Sequence, residues 1–144
     1  MVRWACAHQP RRILDPALGQ GVFVDAIEAL VKEQHGSVPP RIDAFEVDPR
    51  MLEEFVHRQR ELQPHCRCED YLAAGFSDTY DAIIANPPYV RHHDMDRDDR
   101  VFRRFDRLAG RRLSRMTNLY GLFLIKIWSQ LAPHGRAAVI TPAE

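Results

Sequence analysis

Apolar residues along this chain switch repeatedly between two spacings. "RRILD" (11–15) reads as a short strand running into the turn "PALGQG". Val22, Phe23, Ala26, Ile27, Leu30 and Val31 then recur at steps of one, three and four, the spacing of one helix face, and Gly36 with Pro39 and Pro40 ends it. "RIDAFEVD" (41–48) alternates as a strand does. Pro49 suits the first turn of a second helix with Asp48 as its N-cap, and Met51, Leu52, Phe55 and Val56 form the expected buried face. "HCRCEDYL" is a weak third strand or its exit, and "YDAIIAN" (80–86) is a strand apolar enough to be covered on both faces. A polar segment of about thirty residues follows, then an apolar helix, "NLYGLFLIKIWSQL" (118–131). "HGR" turns into a fifth strand, "AAVITP".

Strands alternating with helices imply right-handed crossovers and a parallel sheet with helices on both faces. Such sheets bind ligands outside the carboxyl ends of their strands, near the point where strand order reverses. Gly19, Gly21, Glu46, Asp48, Asp70 and Asn86 all fall at predicted strand ends.

The bulk composition adds limits. A length of 144 residues, 45% hydrophobic and 28% charged, suits one soluble domain. No apolar run reaches membrane-spanning length and the N-terminus does not read as a signal peptide, so no membrane partner is expected. Net charge is zero, but Arg91 to Arg115 carries nine arginines against five aspartates. Arginines interleaved with Phe102 and Phe105 suit phosphates and an unpaired nucleic-acid strand, or else a solvated loop or short amphipathic helix. Three cysteines without a secretion signal favour a reducing, cytoplasmic location. His65, Cys66 and Cys68 lack a fourth ligand and the usual two-residue spacing of zinc cysteines, so packing roles are expected and no metal.

The first turn, "DPALGQG", opens a helix with Gly19 and Gly21, letting backbone approach a ligand. It lacks the third glycine of a dinucleotide fingerprint, where Val24 stands, and the Lys of a Walker loop. Glu46, at the end of the second strand, is placed as acidic residues that hold ribose hydroxyls are. The pair suggests an adenosine-containing ligand with no phosphate requirement.

At this point the residues resemble a known family, the class I S-adenosylmethionine-dependent methyltransferases that methylate adenine N6 in the DNA of restriction–modification systems. "DPALGQGVFV" resembles their first motif, usually DPACGSGxFL, with Leu18 and Gln20 in place of Cys and Ser. "FEVD" resembles the acidic second motif and "EDYL" the third. "NPPYV" is similar to the catalytic fourth motif, "NLYGLFL" to the helix after it, and "LAPHGRAAVITP" to the next strand with its approach.

The resemblance implies a Rossmann-like, mostly parallel sheet truncated after about five strands, with residues 1–144 forming one partial catalytic domain. The family's last strands and its target-recognition region would lie beyond Glu144, and little of the family's N-terminal closing segment precedes Arg11. It implies S-adenosylmethionine as cofactor. Asp15 would sit near the methionine amino group, Phe23 near the methionine portion, Glu46 on the ribose and Asp70 on the adenine amine. Ala17, Gly19, Gly21, Val47 and Tyr71 would complete that site, with Asp48 a further neighbour.

It also implies double-stranded DNA with a flipped adenine as partner. The Asn86 side chain and the carbonyl of Pro87, fixed by Pro88, would accept the two N6 hydrogens, and Tyr89 would stack on the base. Arg91, Arg103, Arg104 and Arg107 would meet phosphates. Two other substrate classes remain open, a protein glutamine amide and an RNA amine, as does a chain that binds cofactor without catalysing.

Overall fold

A computed structural model describes residues 1–34, 38–58, 60–88, 99–114 and 117–141. The elements run α1 (Val2–Ala5), β1 (Arg12–Asp15), α2 (Val22–Glu33), β2 (Arg41–Glu46), α3 (Pro49–His57), β3 (His65–Cys68), β4 (Tyr80–Ala85), α4 (Asp99–Ala109), α5 (Leu119–Gln130) and β5 (Leu131–Val139). The strands form one sheet in the order β3-β2-β1-β4-β5, and each pairing is parallel. From β1 the chain steps outward to β2 and β3, then crosses back to lay β4 on the other side of β1. The reversal between β1 and β4 opens a crevice at their carboxyl ends.

Both faces of the sheet are covered, which is why β4 can be apolar almost throughout. On one face Ile13, Ile42, Ala44, Ala82 and Ile84 pack against Val24, Ile27 and Leu30 of α2 and Phe55 of α3. On the other, Leu14, Phe45, Tyr80 and Ile83 pack against Phe102 and Phe105 of α4 and Leu119, Leu122, Phe123 and Ile127 of α5. At the amino end of the sheet, Asp81 Oδ2 accepts the amides of Arg11 and Arg12 at 2.8 and 2.9 Å and fixes β4 beside β1.

Some expectations need correction. Of the expected face of α2, Ile27 and Leu30 are buried and Phe23 and Val31 pack against the core, but Val22 is 64% exposed and Val24 is buried in its place. In α3 only Phe55 is buried and Val56 faces solvent. Asp48 does cap α3, its Oδ1 accepting the Arg50 amide at 2.9 Å with Pro49 in the first turn. "HCRC" is a full edge strand on β2. β5 begins directly at Leu131 and includes the His134–Arg136 stretch that reads as a turn, with a register shift between the pairs Tyr80–Leu131 and Ala82–Arg136 and His134 at a φ of 65°.

Candidate active site at the strand switch point

The crevice holds a cavity of about 430 Å³. Its walls come from strand exits: Ala17 and Gly19 after β1, Glu46 and Val47 after β2, Asp70 and Tyr71 after β3, and Asn86 and Pro88 after β4. Residues far apart in sequence and singled out separately thus meet around one space. Phe45, Leu119 and Phe123 supply its apolar floor, which the sequence reading did not assign to the site.

The β1–β2 wall is built on backbone amides. Gly19, at a φ of 52°, lets its amide reach Glu46 Oε2 at 2.8 Å. Glu46 Oε1 accepts the amides of Val47 and Asp48 at 2.8 and 2.9 Å. Three amides thereby fix one carboxylate at the cavity edge, with lone pairs left for hydroxyl donors. Gly21 does not line the cavity. At a φ of 75° it caps α2, and a Cβ there would lie 2.1 Å from the Phe55 ring. Phe23 also stands outside the cavity walls, half-buried against the core on the α2 side.

Asp15 ends β1 and is 0% exposed, behind the cavity surface. Its Oδ1 accepts the Ala17 amide at 3.2 Å, but Oδ2 has no hydrogen-bond partner among the described residues. Burial drives its pKa up to about 7, the Ala17 amide opposes this, and Glu46 adds to it. Asp15 is not itself among the lining residues, and its orphaned buried carboxylate oxygen lacks the partner that such a group ordinarily has.

The β3 wall is a turn. Asp70 Oδ1 accepts the Leu72 amide at 2.9 Å, and its carbonyl accepts the amides of Ala73 and Ala74 at 3.0 and 3.1 Å. Tyr71 is buried between Phe45 and Phe123, centroids 5.3 and 5.2 Å away, with its hydroxyl donating to Gln130 Oε1 at 2.8 Å. Burial raises its pKa, so the phenol stays protonated and serves the fold. Sequence reasoning also missed Lys126, a fully buried lysine of α5 that donates to the carbonyls of Tyr71 and Ala74. A signal existed. Lys126 and Gln130 fall on the 119, 122, 123, 126, 127, 130 stripe of an otherwise apolar helix.

Asn86 emerges from β4 exposed, Pro87 is buried and Pro88 exposed. Tyr89 and Arg91 lie outside the described residues. The arginine-rich segment is an amphipathic helix over Asp99–Ala109. Phe102 and Phe105 are buried in the core, which removes them as base contacts. Arg104 turns inward, donating to the Ala73 carbonyl at 2.9 Å and lying 4.6 Å over the Phe76 ring. Arg103 and Arg107 face solvent. Among the described residues no group of three metal-ligating side chains assembles, and the thiols are free, with Cys66 packed against the core and Cys68 exposed. No described helix is long and apolar enough to cross a membrane. A larger concavity of about 570 Å³ lies elsewhere, and its described lining holds no carboxylate.

Comparison with known proteins agrees with this architecture. A Listeria monocytogenes protein assigned to the class I S-adenosylmethionine-dependent methyltransferases superposes with a TM-score of 0.74 at 20% identity, over 98% of this chain and 42% of that one. Coclaurine N-methyltransferase, bound to N-methylheliamine and S-adenosylhomocysteine, superposes with a TM-score of 0.60 at 18% identity, over 96% of this chain and 34% of that one. In sequence, the Type II methyltransferase M.AccI of Acinetobacter calcoaceticus is 35% identical over the whole of this chain, which spans 26% of that protein's length. Residues 25–144 match the family described as Eco57I restriction-modification methylase. The chain therefore belongs to the Eco57I family of restriction-modification methylases and carries the class I methyltransferase fold.

Proposed function

We propose that this domain methylates the N6 amine of adenine in DNA, on a base turned out of the duplex. One observation carries the reading: Asn86 leaves β4 into the same cavity that Glu46 and Asp70 border. A side-chain amide therefore faces a space suited to adenosine across the switch point.

The residues fit S-adenosylmethionine. Glu46 offers acceptors to ribose hydroxyls, Asp70 to the adenine amine, and the orphaned oxygen of Asp15 suits an ammonium. Ala17, Gly19, Val47 and Tyr71 shape the walls between them. When bound, the cofactor supplies an electrophilic methyl group on a sulfonium sulfur. The protein's task is to make a weak nucleophile attack it. An exocyclic purine amine has its lone pair conjugated with the ring. Asn86 Oδ1 and the Pro87 carbonyl accept its two hydrogens and orient that lone pair out of the ring plane. Both acceptors are neutral, so neither must lose a proton first, and the methylated amine gives its surplus proton to water. Tyr89, next in the chain, stacks on the base and returns about 1–3 kcal/mol of the cost of unstacking it.

In this reading residues 1–144 act as one catalytic domain. Choice of target sequence belongs to protein outside it, in a C-terminal region or a partner subunit. DNA as substrate and unpaired thiols fit a cytoplasmic setting. Arg103 and Arg107, exposed on α4, are the described residues best placed for phosphates, with Arg91 beside the catalytic loop in sequence.

Calorimetric titration with S-adenosylmethionine tests the cofactor site first. Saturable binding is expected, lost in the Asp15→Ala, Glu46→Ala double variant. Transfer of labelled methyl to adenine in DNA tests the reaction, and Asn86→Ala is expected to slow it about 10²–10³-fold with cofactor affinity unchanged. Label appearing in a protein glutamine or in RNA, with none in DNA, would overturn the substrate assignment and keep the chemistry.

A further inference from the structure

We propose that Lys126 is a positioning residue for the cofactor: from α5 it holds the Asp70–Ala74 turn, and so the Asp70 wall of the cavity, in the shape that meets the adenosine end. This rests on the cofactor reading above and extends it to a residue that touches neither cofactor nor base.

The turn folds on itself through Asp70, which takes the amides of Leu72, Ala73 and Ala74. That leaves a cluster of carbonyls directed at the helices beneath. Tyr71 and Ala74 present theirs to the Lys126 amine, the latter at 3.0 Å. Ala73 presents its carbonyl to Arg104 at 2.9 Å. Each acceptor thus meets a cationic donor, and these donors come from residues 31 to 55 positions away. Lys126 is wholly buried, with its amine 4.3 Å from the Tyr71 ring centroid and 4.2 Å from that of Phe76. A lysine held in an aromatic box is costly unless its hydrogen bonds do something there. Here they fix the turn whose first residue, Asp70, lines the cavity.

The charges around Lys126 make the clamp sensitive to pH. Burial and then Arg104 of α4 depress its pKa to about 7, while Asp70 in the turn and Glu69 just before it raise it and Arg67 of β3 lowers it. Near neutrality the amine therefore loses its charge, and with it one donor hydrogen and much of its pull on the carbonyls.

The test compares the wild type with Lys126→Met by calorimetry between pH 6 and 9. The probes are S-adenosylhomocysteine and 5′-methylthioadenosine, which lacks the amino-acid end that Asp15 would meet. Lys126→Met is expected to weaken both probes by the same factor, about tenfold, at pH 6. Wild-type affinity for methylthioadenosine should fall as pH rises through about 7, and the variant's should not. Amide hydrogen exchange at Leu72, Ala73 and Ala74 should quicken in the variant. A folded variant that binds methylthioadenosine as the wild type does would overturn the role of Lys126 alone. Should Lys126→Met fail to fold, the wild-type profile decides, and a flat one overturns the proposal. A wild type that binds neither probe overturns the cofactor reading, and this proposal with it.

Discussion

The cavity's two walls are built in opposite ways. On the β1–β2 side, a carboxylate is fixed by amides, and the linked residues, Gly19 with Glu46 and Glu46 with Val47 and Asp48, lie at the exits of adjacent parallel strands or at neighbouring positions. On the β3 side, a turn is suspended from side chains of α4 and α5, with Gln130 reaching Tyr71 across 59 positions and Lys126 reaching Ala74 across 52. The first wall needs only β1, β2 and the helix after each. The second needs helices made much later in the chain. Backbone geometry secures one and tertiary packing the other, so they should fail differently.

The largest effect expected is on the first wall. Gly21→Ala forces a Cβ to within 2.1 Å of a Phe55 ring that Arg60 covers at 3.8 Å, at a φ of 75°. Left-handed strain and overpacking together cost about 2–4 kcal/mol, read as a lower urea midpoint at unchanged slope. A loss below about 1 kcal/mol would mean that the helix start can shift, and the wall would not be rigid.

Next is Glu46→Gln. Its amide nitrogen must face either the Gly19 amide or those of Val47 and Asp48, donor against donor. About 1.5–3 kcal/mol is expected, with cofactor affinity down about tenfold. Tyr71→Phe is the matching cut on the second wall. It unpairs a buried Gln130 oxygen at about 1 kcal/mol, and should quicken exchange in the Asp70–Ala74 turn while leaving the Gly19 amide protected.

The walls also titrate in opposite senses. Asp15 is raised to about 7, so between the carboxylate's ordinary value near pH 4 and about 7 the folded chain holds the extra proton, and stability falls as pH rises. Lys126 is lowered to about 7, so between about 7 and the usual lysine value near 10 the unfolded chain holds the extra proton, and stability rises with pH. These two groups alone give a minimum near neutrality. Thermal midpoints against pH should lose the falling arm in Asp15→Asn and the rising arm in Lys126→Met. A profile of the same shape in both variants would mean that neither group is shifted.

The same division explains what the sequence disclosed. Strand and helix periods, the glycine turn, the Asp48 cap and the acidic exit of β2 obey short-range rules, and these alone place Asp15, Gly19, Glu46 and Asn86 at strand ends. The sheet order then brings Ala17, Glu46, Asp70 and Asn86 to one cavity. The first turn of α2 was less legible, because Val22 and Val24 are equally apolar and only the second is buried. Lys126 and the inward turn of Arg104 were missed for another reason. A lysine or arginine on a helix reads as solvated until its partners are known, and those partners are carbonyls of a turn 31 to 55 residues earlier.

Helix α4 offers the smallest and sharpest contrast, since its arginines divide between the wall and solvent. Arg104→Ala removes donors to Ala73 and Ala74 and the stacking over Phe76, so a destabilisation of about 1 kcal/mol and faster exchange in the turn are expected. Arg103→Glu with Arg107→Glu touches only exposed positions, and stability should change by less than about 0.5 kcal/mol. If α4 faces DNA, that pair should nonetheless weaken binding across all sequences and lower the salt slope by about 1 for each phosphate no longer neutralised. If affinity and slope stay as they were, the outer face of α4 is a solvated surface, and the helix serves the cavity solely through Phe102, Arg104 and Phe105, from behind the β3 wall.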